Sequence, residues 1–152
     1  MPIGTLYQDL IDQIITDLKT ITPELVDDVG PPINPRVNKW KVSRTPKVGR
    51  YEIVVLAGPM EPIGGFTVKS SDNEFTIWID LIFYSSAFET GFDSAMSVAE
   101  RIYDKFHLKN ISGLVRIAKV SLFPGDGQLA QRNLLAIPIR VGIKCEKVIT
   151  QN

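Results

Sequence analysis

The run Glu74-Phe75-Thr76-Ile77-Trp78-Ile79-Asp80-Leu81-Ile82-Phe83-Tyr84 and the amphipathic stretch Phe92 to Phe106 behind it decide the fold. Phe75, Ile77, Ile79, Leu81 and Phe83 alternate with Thr76, Trp78, Asp80, Ile82 and Tyr84, the period of a long strand. The first set is wholly apolar and belongs against helices. The second sets large flat side chains around one acid. A sheet buried on one side carries a more polar outer face than this. Trp78, Ile82 and Tyr84 therefore mark either a contact surface for a partner or a face covered by another part of the chain. Asp80 has no second carboxylate or histidine at neighbouring strand positions, which argues against a catalytic acid.

After the break at 85–89, Phe92, Ala95, Met96, Ala99, Ile102, Tyr103 and Phe106 form the apolar stripe of a helix. Thr90, with Asp93 three residues on, is the expected N-cap. Acids lead this helix and bases close it, as the macrodipole favours. His107, the single histidine, falls at its C-terminal end and reads as a capping or solvated residue. Beyond it, Leu114 to Phe123 and Leu134 to Val148 read as antiparallel strands, joined by a loop over 124–133. In the second of these strands, Leu135, Ile137, Ile139, Val141, Ile143 and Cys145 share one face. Pro138 must turn its missing N–H away from a ladder or sit at a bulge. A connection as long as 124–133 exceeds ordinary hairpin loops and suggests a role of its own or a hold by another subunit.

Working toward the N-terminus, Ser70-Ser71-Asp72-Asn73 has turn chemistry, and Phe66 to Lys69 reads as a short strand. The segment 58–65 reads as a plain loop: its glycines lack a Gly-Lys-Ser/Thr ending, and Pro59 and Pro62 interrupt the N–H groups a phosphate would need. Tyr51 to Ala57 is a β-branched strand. Thr5 to Lys19 is an amphipathic helix with Leu6, Leu10, Ile11, Ile14 and Leu18 on its apolar face and Thr5 as its expected N-cap. Ile21 to Pro35 is a proline-dense connection, with a turn of helix expected at Pro23–Val26. Charge is segregated here. Residues 1–35 hold six acids and one base, whereas 36–50 hold six bases and no acid. The basic tract, with Lys39, Lys41 and Arg44, reads as a protected edge strand or extended arm, or as a contact for an acidic partner.

The chain of 152 residues fits one domain, 1–152, with enough core to fold without disulfide or metal. Net charge is zero, so no global field recruits nucleic acid or membrane. The lone Cys145 makes no internal disulfide and no cysteine cluster for a metal. No apolar stretch reaches the ~18 residues of a membrane span. No signal-peptide pattern opens the chain, so a cytoplasmic place of synthesis is expected. No catalytic, cofactor or metal constellation is visible. The order of elements predicts an α+β domain with a mixed, mostly antiparallel sheet and two main helices packed on one face.

Four stretches carry a family resemblance: the helix Thr5–Lys19, the strand Thr76–Tyr84, the helix Ser94–Ile102, and the closing hairpin through Pro138-Ile139-Arg140-Val141-Gly142-Ile143. In length and element order the chain resembles the tail terminator (tail completion) and minor tail proteins of long-tailed bacteriophages. The resemblance implies a non-enzymatic virion protein of the head–tail junction, assembled in the host cytoplasm. Its implied partners are copies of itself in a homohexameric ring, the tail tube protein and the head–tail connector, with DNA passing through the ring and no membrane or cofactor involved. A ring needs head-to-tail contacts whose rotation closes. Candidates are Trp78, Ile82 and Tyr84; the loop residues Asp126, Gln128 and Arg132; and Lys39, Lys41 and Arg44 facing a neighbour's acidic segment. A head–tail adaptor, a small ligand-binding or regulatory α+β domain, and an enzyme remain as alternatives. Solution mass separates the first from the last two.

Overall fold

The computed structural model describes residues 3–21, 36–39, 51–64, 70–111, 113, 115 and 118–150. Two helices and six strands follow in the order α1 (Ile3–Ile21), β1 (Arg36–Lys39), β2 (Tyr51–Gly64), β3 (Ser70–Ser85), α2 (Phe88–Phe106), β4 (Ala118–Pro124), β5 (Gln128–Gln131) and β6 (Leu134–Thr150). The sheet runs β1-β2-β3-β6-β4, with β5 also pairing β6. Only β1 and β2 are parallel; the other pairs are antiparallel. This is the expected α+β domain with a mixed, mostly antiparallel sheet.

Alternation along β3 sorts the faces as its sequence predicts. Phe75, Ile77, Ile79 and Leu81 are fully buried, opposite Cys145, Ile143, Val141 and Ile139 of β6. They form one core with Leu6, Leu10, Ile11, Ile14 and Leu18 of α1 and Ala95, Val98, Ala99, Ile102 and Phe106 of α2. Each fully buried aliphatic side chain of this set contributes about 1.5–3 kcal/mol of transfer free energy. Gly91, Ala95 and Ala99 recur at four-residue spacing and are all buried, so α2 comes close to the sheet along a line of small residues. The Tyr7 ring meets Phe75 edge-on, and its hydroxyl donates to the Gly58 carbonyl at 2.9 Å, tying α1 to β2.

Several boundaries differ from expectation. Helix α1 starts at Ile3, so Thr5 lies within it and is no N-cap. Helix α2 starts at Phe88 with Ala87 as N-cap, so Thr90 lies inside. Ser85 organises this entry instead: its hydroxyl accepts from the Ala87 N–H and donates to the Ala87 carbonyl. The segment 58–64 is no loop; β2 continues to Gly64 through register shifts at Ala57/Met60 and Pro62/Gly64. Pro59 falls in the first register shift, a bulge where a missing N–H is tolerated, and Pro62 lies beyond Val55, where β1 no longer pairs β2. Residues 70–73 are strand, not turn, because β6 pairs them, and the Asn73 amide is satisfied by Ser71. The 124–133 connection contains β5, which turns into β6 through Arg132 and Asn133, the latter at φ 61°. Pairing of β4 with β6 is as expected but starts at Ala118; Val115 instead bridges Ile111. Of the basic tract, 36–39 form the edge strand β1. The rest of it, the connection at 22–35 and the strand expected at 66–69 lie outside the described residues.

Pro138 resolves cleanly. Its carbonyl accepts from the Gly125 N–H at 3.0 Å. Within a strand the N–H and C=O of one residue point the same way, so its missing N–H faces Gly125, where β4 ends. Its pairing with Ile82 on the β3 side uses neither group.

Candidate assembly surface

The face of the sheet away from the helices is built around Trp78. Its indole lies across neighbouring strands because two of them offer no side chain. A Cβ at Gly58 of β2 would stand 2.7 Å from Trp78 Nε1, and one at Gly142 of β6 would stand 2.8 Å from Cζ3. Phe123 of β4 meets the indole edge-on, at 6.0 Å between centroids and 74°. The Arg140 guanidinium carbon sits 5.0 Å from the ring centroid, a cation–π arrangement. Arg140 also forks onto Asp80, Nε donating to Oδ1 at 2.7 Å and Nη2 to Oδ2 at 3.1 Å. That hydrogen bond leads in raising the guanidinium pKa further, offset in part by burial. Asp80 is thus an ion-pair partner in a cross-strand pair and the positioner of Arg140.

Next to this cluster, Asp80, Ile82, Phe123, Gly125, Pro138 and Arg140 line a shallow hollow of about 270 Å³. Phe123 is 50% exposed, and Trp78 and Ile82 are half-buried. Further along, Lys144 pairs with Glu74 and Lys119 with Glu146, and in each pair, as in Arg140–Asp80, the cation is the more exposed partner. The face is therefore apolar at the β4–β5 end, with positive charge standing outward.

Tyr84 does not belong to this surface. It is 6% exposed, and its hydroxyl donates to Glu52 Oε2 at 3.0 Å. Burial, and then the Glu52 carboxylate, push its phenol up to about 12. Glu52 is itself fully buried, and among the described residues its Oε1 has no hydrogen-bond partner. Part of the outer face is thus covered within the chain, and Trp78 and Ile82 carry the open part. Of the loop candidates, Asp126, Gln128 and Arg132 are exposed around β5. Lys39 occupies the β1 position opposite Val55, its side chain outside the description, and Lys41 and Arg44 lie outside the described residues.

Sequence reasoning missed a second apolar patch, on the helix side of the same end. Leu129 of β5 is 73% exposed and pairs with Leu135, whose alternation faces the helices. Phe88, 43% exposed, stacks on Phe92 and lies over Gly127, where a Cβ would stand 2.8 Å from its Cδ2. The signal was an isolated leucine in a turn-rich segment and a phenylalanine just ahead of the predicted helix.

Among the described residues, no group of three or more His, Cys, Asp or Glu side chains is placed to hold a metal, and no helix is long and apolar enough to cross a membrane. Cys145 is fully buried, its thiol pushed up to about 12 by burial and then by the Glu74 carboxylate, the opposite of an activated nucleophile. His107 caps α2: its Nδ1 accepts the Val120 N–H at 3.1 Å, and its ring stacks on Tyr103. Hollows of about 310 and 370 Å³ between the C-terminal parts of α1 and α2 are lined by mixed charges, and there Lys109 Nζ donates to the Asp104 carbonyl.

No protein-family model and no curated protein matches the chain. One solved structure similar to it is a chain of the "Virion of native gene transfer agent (GTA) particle", with 14% identity over 88% of this chain and 92% of that one, and a TM-score of 0.45. A likeness at that level decides neither fold nor function.

Proposed function

We propose that this chain is a structural protein of a tailed-phage-like particle, a tail terminator subunit that associates with its own copies into a hexameric ring at the end of the tail tube, beneath the head connector. The observation that carries association is the half-open apolar face of Trp78, Phe123 and Ile82. A face of that kind, ringed by charge, is how subunit contacts are built. The tail role rests on the resemblance in element order, which the observed order of helix, strands, helix and closing hairpin supports. In this reading the chain performs no chemistry. Its work is to close a ring and present one face to the tube and the other to the connector, with DNA passing through the opening.

The test is sedimentation velocity of the purified chain across a range of concentrations, with negative-stain microscopy of the largest species. Closed rings of uniform mass are the expected result. A monomer at every concentration overturns the reading.

A further inference from the structure

The outer face has a distinct counterpart on the same molecule. The geometry points to head-to-tail association in which the Phe88–Leu129 patch of one copy seats on the Trp78–Phe123 face of the next. This rests on the assembly reading above and names its partner surfaces.

Three observations carry it. The two patches lie at the same end of the sheet, around the β4–β5 connection, but on opposite sides. Phe123 pairs with Arg140 on the outer face, and Leu129 pairs with Leu135 on the helix face. Both are apolar and open, Phe123, Phe88 and Leu129 being the exposed large hydrophobics of this end. Their surroundings differ in the charge that stands outermost. Glu89 and Asp93 of the first turns of α2 and Asp126 are exposed around the Phe88 patch, against Arg132. On the outer face the cations of Arg140–Asp80, Lys144–Glu74 and Lys119–Glu146 stand further out than their acids. A twofold contact made through one of these patches alone would press it against its own copy, acid rim to acid rim or cation to cation, and like charges so placed are penalised. Joining unlike patches sets acid against base. Such a contact is heterologous, so an open row of copies keeps one unused surface of each kind, at its two ends, until a rotation closes the set.

The experiment uses two full-length variants, F123E on the outer face and L129E on the helix side, and reads mass by light scattering. Both positions are half or more exposed, and in F123E the new carboxylate lies opposite Arg140, so both variants fold. If L129E lowers the melting temperature, L129S replaces it. Each variant alone is expected to lose the large species. Their equimolar mixture is expected to give a 1:1 dimer and nothing larger, because F123E still offers an intact Leu129 patch and L129E an intact Phe123 face. Unchanged mass for L129E, or a mixture that stays as monomeric as its components, overturns the pairing and leaves the assembly reading standing. A monomeric wild type instead sinks the assembly reading itself.

Discussion

Gly142→Val gives the sharpest test of how the outer face is built. On strand propensity alone the change stabilises, since valine suits a strand and glycine loses the most entropy there, a gain of about 1 kcal/mol. Here a Cβ would meet Trp78 Cζ3 at 2.8 Å and Phe123 Cε2 at 3.3 Å. Carbon contacts settle near 3.5–4.0 Å, so the indole must lift by roughly 1 Å or swing away. The edge contact with Phe123 is then lost, worth about 0.5–1.5 kcal/mol, with the Arg140 stacking at about 0.5–1 kcal/mol. If the indole re-exposes a third to a half of the ~200 Å² that such a ring buries, about 2 kcal/mol more goes. Set against the gain, the expected net loss is about 2–3.5 kcal/mol, a fall in melting temperature of roughly 4–14 °C for a domain of this size. Circular dichroism melts measure it, and iodide quenching of the Trp78 indole, with the chain's other tryptophan replaced as Trp40→Phe, reports the lift. Ser121→Val on β4, opposite Gly142 but not beneath the indole, is the control and should be within about 0.5 kcal/mol of wild type. A G142V protein as stable as wild type, with unchanged quenching, refutes the glycine seat.

Gly91→Ala should also destabilise although it sits in a helix. The propensity gain of about 0.8–1 kcal/mol is opposed by overpacking of about 1–3 kcal/mol, because a Cβ there runs into Ser85 Cβ and Ile137 Cδ1, and Ser85 is fixed by its bonds to Ala87. Urea unfolding that shows G91A more stable than wild type would contradict that packing. Tyr84→Phe removes a buried hydrogen bond to a carboxylate and should cost about 1.5–3 kcal/mol near neutral pH. It should also change the alkaline limb. A phenol raised from 10.0 to about 12 in the folded chain contributes stability that is complete below pH 10 and lost as pH climbs toward 12. Cys145 and Tyr7, also raised, act with the same sign, so the prediction is a shallower fall for Y84F than for wild type, not a flat line. Equal slopes in parallel denaturation series at rising pH would contradict the Tyr84 assignment.

How much of this was legible in the sequence follows from what each feature depends on. The faces of β3 and β6 and the stripes of both helices depend on local alternation, and Phe75 to Phe83 declares it without help. β2's passage through Pro59 and Pro62 depends on the register shift at the first and on its neighbour ending at Val55 before the second, which no local pattern reveals. The strand at 70–73 shows the same override, polar turn residues being drawn into β3 by the length of β6. Which of the two readings holds for Tyr84, contact surface or cover within the chain, is a cross-strand fact: Glu52 lies opposite Ile82, two residues before Tyr84, and only the register brings its carboxylate to the phenol. The seat of Trp78 had a readable sign. Gly142 interrupts an otherwise regular strand, and a glycine in a strand interior often marks a close approach. Its partner could not be named before the pairing of Trp78 with Gly142 was known.

The edge of β4 bears on which surfaces are left for assembly. An exposed strand edge invites another chain to extend the sheet. Along β4 the outward groups belong to Ala118, Val120, Leu122 and Pro124, by the alternation that pairs Gly125 with Pro138. The Ala118 N–H donates to the Lys109 carbonyl, and its own carbonyl accepts from Leu108. Val120 gives its N–H to His107. Pro124 has none to give. Among the described residues, Leu122 alone keeps an unmatched outward donor, too little for a second strand to hold. The turn after α2, with Leu108 at φ 55°, thus does for this edge what a neighbouring strand would do, and His107 earns its place there as an acceptor. With so few open donors along β4, contact between copies at that edge falls mainly to side chains, and the open apolar ones at this end of the molecule are those of the two patches on either side of the sheet.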